Sequence, residues 1–237
     1  MVLDLYPKAQ AYLQSFVHLF FPHLCLACGT DLVSINTVLC THCEKNLPFT
    51  DLFNIENNRI EKIFWGRVPL NAVSAVLFFT KDSIVQTLIF ELKYHQNKKA
   101  GWLLGRLIGA SIIEADRFNP IDFLVPIPIS KKKQRQRGFN QAMIICEGIL
   151  QVLPALKILP ALIKQKSSRS QTHKDRIQRG DQMAQLFELD KSFNLGSAKL
   201  LLVDDVITTG ATLEAAAACL WQAQPKAISI AAAAYTL

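Results

Sequence analysis

The sequence predicts an α/β fold, a mainly parallel sheet flanked by helices, with a small double zinc-ribbon-like module at its N-terminal end. Three observations predict it. From about residue 70 onward, short apolar runs alternate with helical patterns, the order that βαβ units require. The stretch LLVDDVITTGAT at 201–212 passes from buried-strand residues into two acids, then into a threonine–glycine loop ahead of an alanine-rich helix. Four cysteines fall in two C-x2-C pairs between residues 25 and 43. At 237 residues, 50% hydrophobic and 19% charged, the chain can bury one good core with an accessory module, and the composition excludes a disordered protein. The expected division is residues 1–50, an N-terminal helix with the four-cysteine module, and 51–237, the α/β domain.

Residues 1–24 read as an amphipathic helix ending near Pro22. They lack the basic n-region and small-residue cleavage site of a signal peptide, and Gln14 and His18 interrupt the apolar stretch. No apolar run reaches the ~18 residues that span a bilayer, so the expectation is a cytoplasmic protein with no transmembrane segment. Residues 51–70 are mixed and read as a connection. SAVLFFT (74–80) is a predicted strand. In SIVQTLIFELKYH (83–95), Ile84, Leu88, Ile89 and Leu92 recur at helical spacing with Lys93 beside the stripe. A second helix is predicted from Ala100 to Asp116. IDFLVPIPIS (121–130) is a strand running into a Pro-rich loop, and QAMIICEGILQVL (141–153) is a helix. FELD and LLVDD are strands, the alanine-rich helix starts at Leu213, and AISIAAAAY is a final strand.

CLAC at 25–28 and CTHC at 40–43 each place two thiolates on a tight turn, and two such knuckles complete a tetrahedral shell of four sulfurs. Gly29 suits the turn after the first pair. Cys25, Cys28, Cys40 and Cys43 are therefore candidate ligands of a structural Zn2+. An iron–sulfur centre or redox-active pairs are the alternatives, and His42 sits inside the second knuckle. Four protein ligands leave no open position for catalysis. Cys146 and Cys219 fall in predicted helices and read as buried apolar residues.

Net charge is +7, unevenly spread: residues 130–180 hold twelve Lys and Arg against two acids, Glu147 and Asp175. The basic excess belongs to one region, which suits phosphates, either free or in a nucleic-acid backbone. The KKKQRQR run at 131–137 is more basic than a single pyrophosphate requires, and so points to a longer polyanion.

In DDVITTGAT, Gly210 lets backbone N–H groups approach a phosphate closely, and the hydroxyls of Thr208, Thr209 and Thr212 add donors. Paired acids just before them, Asp204 and Asp205, can hold ribose hydroxyls or Mg2+ through water. This stretch resembles the ribose-phosphate loop of type I phosphoribosyltransferases, which bind phosphoribosyl pyrophosphate (PRPP). Within that superfamily the chain resembles the ComF/GntX-type proteins. The resemblance rests on FP..C..CG at 21–29, the second cysteine pair, FELKYH at 90–95, VPIP…RGFNQA at 125–142, Gln171…Arg179 and the loop itself.

The resemblance implies a phosphoribosyltransferase fold with an N-terminal zinc module, and an association with natural transformation, the uptake of single-stranded DNA. It implies that Asp204 and Asp205 face the ribose as the residues on which any catalysis would depend. Ile207, Thr208, Thr209, Gly210, Ala211 and Thr212 would wrap the 5-phosphate. Lys93, Arg137, Gly138 and Asn140 would lie on the pyrophosphate side, and Lys164, Gln171 and Arg179 would contribute flexible-loop contacts. Arg137, Gly138 and Asn140 have a turn and helix cap as their alternative reading. Mg2+ would accompany PRPP. The expected function is therefore a PRPP-binding protein that supports DNA uptake, handling single-stranded DNA through 131–137 and 164–179 with competence-machinery partners; the alternatives are a housekeeping phosphoribosyltransferase with a base or amine acceptor and a PRPP sensor without turnover.

Overall fold

The structure is a computed structural model describing residues 22–31, 37–165 and 186–237. The helix predicted over 1–24 falls almost wholly outside the described residues. The chain divides into two compact units at the Leu47–Pro48 junction. Among the described residues of the first, a short helix, α1 (Thr41–Lys45), starts at Cys40, whose side chain accepts the N–H of Cys43.

In the second unit β1 (Val73–Phe79) leads into α2 (Ile84–Tyr94) and α3 (Lys98–Ile113). β2 (Phe123–Pro126) is followed by α4 (Lys131–Arg137), α5 (Gln141–Leu150) and β3 (Lys157–Ile158). β4 (Leu162–Lys164) and β5 (Phe187–Leu189) precede β6 (Lys199–Ile207), α6 (Ala211–Trp221) and β7 (Ala227–Thr236). Among the described residues no helix is long and apolar enough to cross a membrane.

The main sheet has the order β1-β7-β6-β2-β3 with every neighbouring pair parallel. The predicted α/β class is the one observed. FELD does form a strand, but β5 pairs antiparallel with β4 in a separate two-stranded sheet. The sheet order matters for function. From β2 the chain moves outward to β3, whereas from β6 it moves the opposite way to β7. The strand order reverses between β2 and β6, and the crevice beyond their carboxyl ends is where open α/β sheets take ligands.

Burial explains the elements. Ser83 caps α2 by accepting the N–H of Gln86, and Val85, Leu88, Ile89 and Leu92 are buried along one face. Each such fully buried side chain contributes roughly 1.5–3 kcal/mol. Gly105 and Gly148 let α3 and α5 cross in close contact: a Cβ on Gly105 would collide with the carbonyl oxygen of Ile145. On the sheet, Leu200 and Leu202 join Ile228, Ile230 and Ala232 of β7 and Leu213, Ala216 and Leu220 of α6 in one core. Leu201 and Val203, both 0% exposed, alternate to the opposite face. Cys146 and Cys219 are buried, as their sequence context predicts.

Two segments differ from expectation. KKKQRQR, for which the sequence pattern predicts no helix, is the helix α4: Ser130 caps it by accepting the N–H of Lys133, and Gly138 ends it at φ 81°. The 51–70 connection contains a 3-10 turn at Glu61–Phe64, and Ile60 and Phe64 are core residues.

Candidate functional site

β6 runs farther than β2. Pro126 pairs with Val203, the last residue of β6 matched to β2, while β7 pairs onward through Ala232 opposite Asp204 and Tyr235 opposite Ile207. The two acids therefore lie inside the strand and not at its end, on an edge that has already lost one neighbour. That half-open edge is the floor of the crevice.

Successive strand residues face opposite sides, and the two acids differ accordingly. Asp205 Oδ2 is 2.8 Å from Lys93 Nζ, with side chains 14% and 21% exposed. Asp204 Oδ1 accepts the N–H of Asp205 at 2.8 Å. Burial, followed by the charge of Asp205, pushes the Asp204 carboxyl up to about 7 against the pull of Lys93 and Lys164. Lys164 stands on β4, half-buried, with its ammonium 5.3 Å from the centre of the Phe187 ring. Its pKa is lowered by burial and then by Lys133, and raised by Asp204. The fold thus brings Lys93 and Lys164 to the two carboxylates. Lys133, one cation of the KKKQRQR run, acts on Lys164, and nothing local in the sequence marks that pairing.

Beyond the acids, Ile207 is 1% exposed and has only its backbone to offer. Thr208, Thr209 and Thr212 are exposed, and Ala211 is half-buried. Gly210 precedes α6 in the left-handed region at φ 75° with no side-chain cap. The N–H groups of the first turn of α6 have no intrahelical acceptor, and Thr208, Thr209 and Thr212 precede or enter that turn along the chain. Backbone and hydroxyl donors of this kind can hold an anion.

Across the crevice, the turn after β2 is organised by Asn140. Its Nδ2 donates to Ile127 O at 2.9 Å and its Oδ1 accepts the N–H of Ala142 at 3.1 Å. Asn140 is thus a helix cap, and Gly138 is the terminator of α4. Arg137 is held by Gln141 Oε1 at 2.9 Å and lies 5.8 Å from the centre of the Tyr94 ring. Lys131, Lys132, Lys133 and Arg135 are exposed, and among the described residues none has a carboxylate within ion-pair distance. Gln171 and Arg179, with most of the basic stretch 164–179, lie outside the described residues. A cavity of about 570 Å3 is lined by Glu61, Phe64, Trp65, Asn71, Val73 and Arg117, and neither acid lines it.

In the first unit the Sγ atoms of Cys25, Cys28, Cys40 and Cys43 lie within 4.8 Å of one another. Cys28 and Cys40 sulfurs are 3.7 Å apart, close to the ~3.8 Å edge of a tetrahedron with 2.3 Å metal–sulfur bonds. Gly29, at φ 72°, donates its N–H to Cys25 O at 2.9 Å and closes the first knuckle. The Cys40 N–H points at Cys25 Sγ at 3.3 Å. Burial opposes ionisation of Cys25, but N–H donors from Cys28, Cys40 and Ala27 outweigh it and bring the thiol down to about 6. The four cysteines fit a closed metal shell.

No family model matches the chain. It is 35% identical over 107 residues to competence protein ComFC of Bacillus subtilis strain 168, covering 45% of this chain and 41% of that protein. It is 25% identical over 129 residues to the DNA utilization protein YhgH of Escherichia coli K12, covering 53% and 56%. It is 25% identical over 208 residues to competence protein F of Haemophilus influenzae, covering 82% and 89%. The chain matches about half the length of ComFC and YhgH. These similarities, to two proteins named for competence and one for DNA utilization, support a relation to the ComF family.

Proposed function

We propose that the protein binds PRPP with Mg2+ at Asp204–Thr212 and acts in the handling of DNA during its uptake into the cytoplasm. The observation that carries this reading is the half-open edge of β6. It presents two carboxylates at the switch point of the sheet, immediately before a threonine–glycine cradle at a helix N-terminus. Asp204 and Asp205 would hold the ribose hydroxyls and hydrated Mg2+, and the cradle would hold the 5-phosphate. Lys93 and Lys164 stand close enough to the acids to neutralise the pyrophosphate, and any displacement at the anomeric carbon would draw on positioning and charge. The names of the relatives supply the DNA-uptake half of the proposal. The exposed cations of α4 supply the surface for single-stranded DNA.

Calorimetric titration of PRPP with Mg2+ tests the site. The wild type is expected to bind, and Asp204→Asn/Asp205→Asn to lose at least tenfold in affinity, about 1.4 kcal/mol or more. Equal binding by both proteins would sink the assignment. We also assign Zn2+ to the four cysteines as a structural ion. Elemental analysis is expected to find about one zinc per chain and none in Cys28→Ser/Cys43→Ser. Metal retained by that variant would remove the cysteines as ligands.

A further inference from the structure

Two exposed rings have no part in the ribose-phosphate reading. On α2, one turn apart, Phe90 and Tyr94 are 48% and 57% exposed, with ring centres 4.8 Å apart. The guanidinium of Arg137 lies 5.8 Å from the centre of the Tyr94 ring, and the ammonium of Lys98 lies 5.7 Å from that of Phe139. Gly138 joins the two sides, since a Cβ there would sit 3.1 Å from Gln96 Oε1 in the turn after α2. An exposed aromatic ring on its own needs no explanation. Two adjacent exposed rings flanked by cations and continuous with α4 do, because a contiguous apolar patch in water has a cost.

We propose that this aromatic–cationic face stacks the bases of single-stranded DNA while the exposed cations of α4 track its phosphates. The inference deepens the DNA-handling half of the proposed function and rests on it. The chemistry selects the ligand. Aromatic faces accept any base, and a neighbouring guanidinium both stacks and pairs with phosphate, a combination suited to sequence-independent binding of single strands. Along α4, Lys131, Lys132, Lys133 and Arg135 are exposed without carboxylate partners among the described residues. A polyanion crossing that helix meets Arg137 and Tyr94 next. A duplex would keep its bases stacked inside and could use only the charges.

The test compares fluorescent oligo-dT with an abasic deoxyribose-phosphate oligomer of equal length, at several salt concentrations. Phe90→Ala/Tyr94→Ala is expected to weaken oligo-dT binding roughly tenfold, leave abasic-oligomer binding unchanged and keep the wild-type salt slope. Phe90→Tyr/Tyr94→Phe preserves both rings and is expected to bind as the wild type. Lys131→Ala/Lys132→Ala/Lys133→Ala is expected to weaken both oligomers and flatten the slope by roughly 0.7 per lost phosphate contact. If the alanine pair melts early, Phe90→Leu/Tyr94→Leu keeps apolar bulk without the π faces and is expected to behave as the alanine pair should.

Oligo-dT binding that survives loss of both rings, or that falls together with abasic binding, overturns the stacking face while leaving α4 as a phosphate track. A wild type that binds neither oligomer overturns it too, whatever PRPP does. Ring-dependent oligo-dT binding in a protein that ignores PRPP would uphold the face and remove the ribose-phosphate reading.

Discussion

Gly210→Ala is expected to destabilise the protein by about 2–4 kcal/mol and to abolish PRPP binding. Two independent costs add. At φ 75° an alanine is in the left-handed region, which costs roughly 1 kcal/mol relative to glycine. Its Cβ would stand 2.8 Å from Cζ and 2.9 Å from Cε1 of Phe64, with Ile63 Cγ2 at 3.1 Å. Phe64 is a rigid ring, 2% exposed, and overpacking of that kind costs roughly 1–3 kcal/mol. Relief could come only from moving the loop, and the loop is the proposed phosphate cradle. Chemical denaturation measures the first effect and calorimetry the second. Combining Gly210→Ala with Phe64→Leu separates the costs: the double variant is expected to be less destabilised than the sum of the singles by about 1 kcal/mol. Strict additivity would mean that the ring is not what Gly210 avoids.

That contact also shows where the sequence is legible and where it is not. Local signals report local structure well. Ser83 before an apolar stripe marks α2, Asn140 marks the start of α5, and LLVDD marks a buried strand. The cysteine spacing points to the sulfur cluster because two tight turns carry most of its geometry. What stays hidden depends on partners far along the chain. No property of residues 51–70 announces that Phe64 lies against Gly210, nearly 150 residues later. The apolar run predicts a strand that stops at the acids, yet β7 keeps pairing to Ile207 after β2 has ended. The pairing of β5 with β4, and not with the main sheet, is equally non-local. In α4, charge density masks an ordinary cap-and-glycine frame, Ser130 to Gly138. Among the candidate site residues, Lys93 is visible as a lysine, but its ion pair with Asp205 is not.

The two neighbouring acids should respond to neutralisation with opposite signs. Asp204 ionises near its ordinary 3.8 in the unfolded chain and at about 7 in the folded one. Between those values the folded state holds a proton that the unfolded state has released, so stability falls as pH rises through the window. Above it the deficit is complete; below about pH 4 it vanishes. A shift of about three units caps the effect near 4 kcal/mol, and solvent at a half-buried group reduces it to about 1–2 kcal/mol. Asp204→Asn keeps an oxygen to accept the Asp205 N–H and removes the charge. It is therefore expected to raise the melting temperature of the ligand-free protein at pH 8 and to leave it unchanged near pH 4. Asp205→Asn strands Lys93, which is only 21% exposed, and is expected to cost about 1–3 kcal/mol at pH 8. With Mg2+ and PRPP the order reverses: the wild type gains stability by mass action and Asp204→Asn does not. A gain for Asp204→Asn that persists at pH 4 would locate its origin elsewhere than in the carboxylate. A loss at pH 8 would mean that this carboxylate supports the empty fold. The expected crossing of the two melting curves would identify Asp204 as a charge retained at the expense of stability because the ligand requires it.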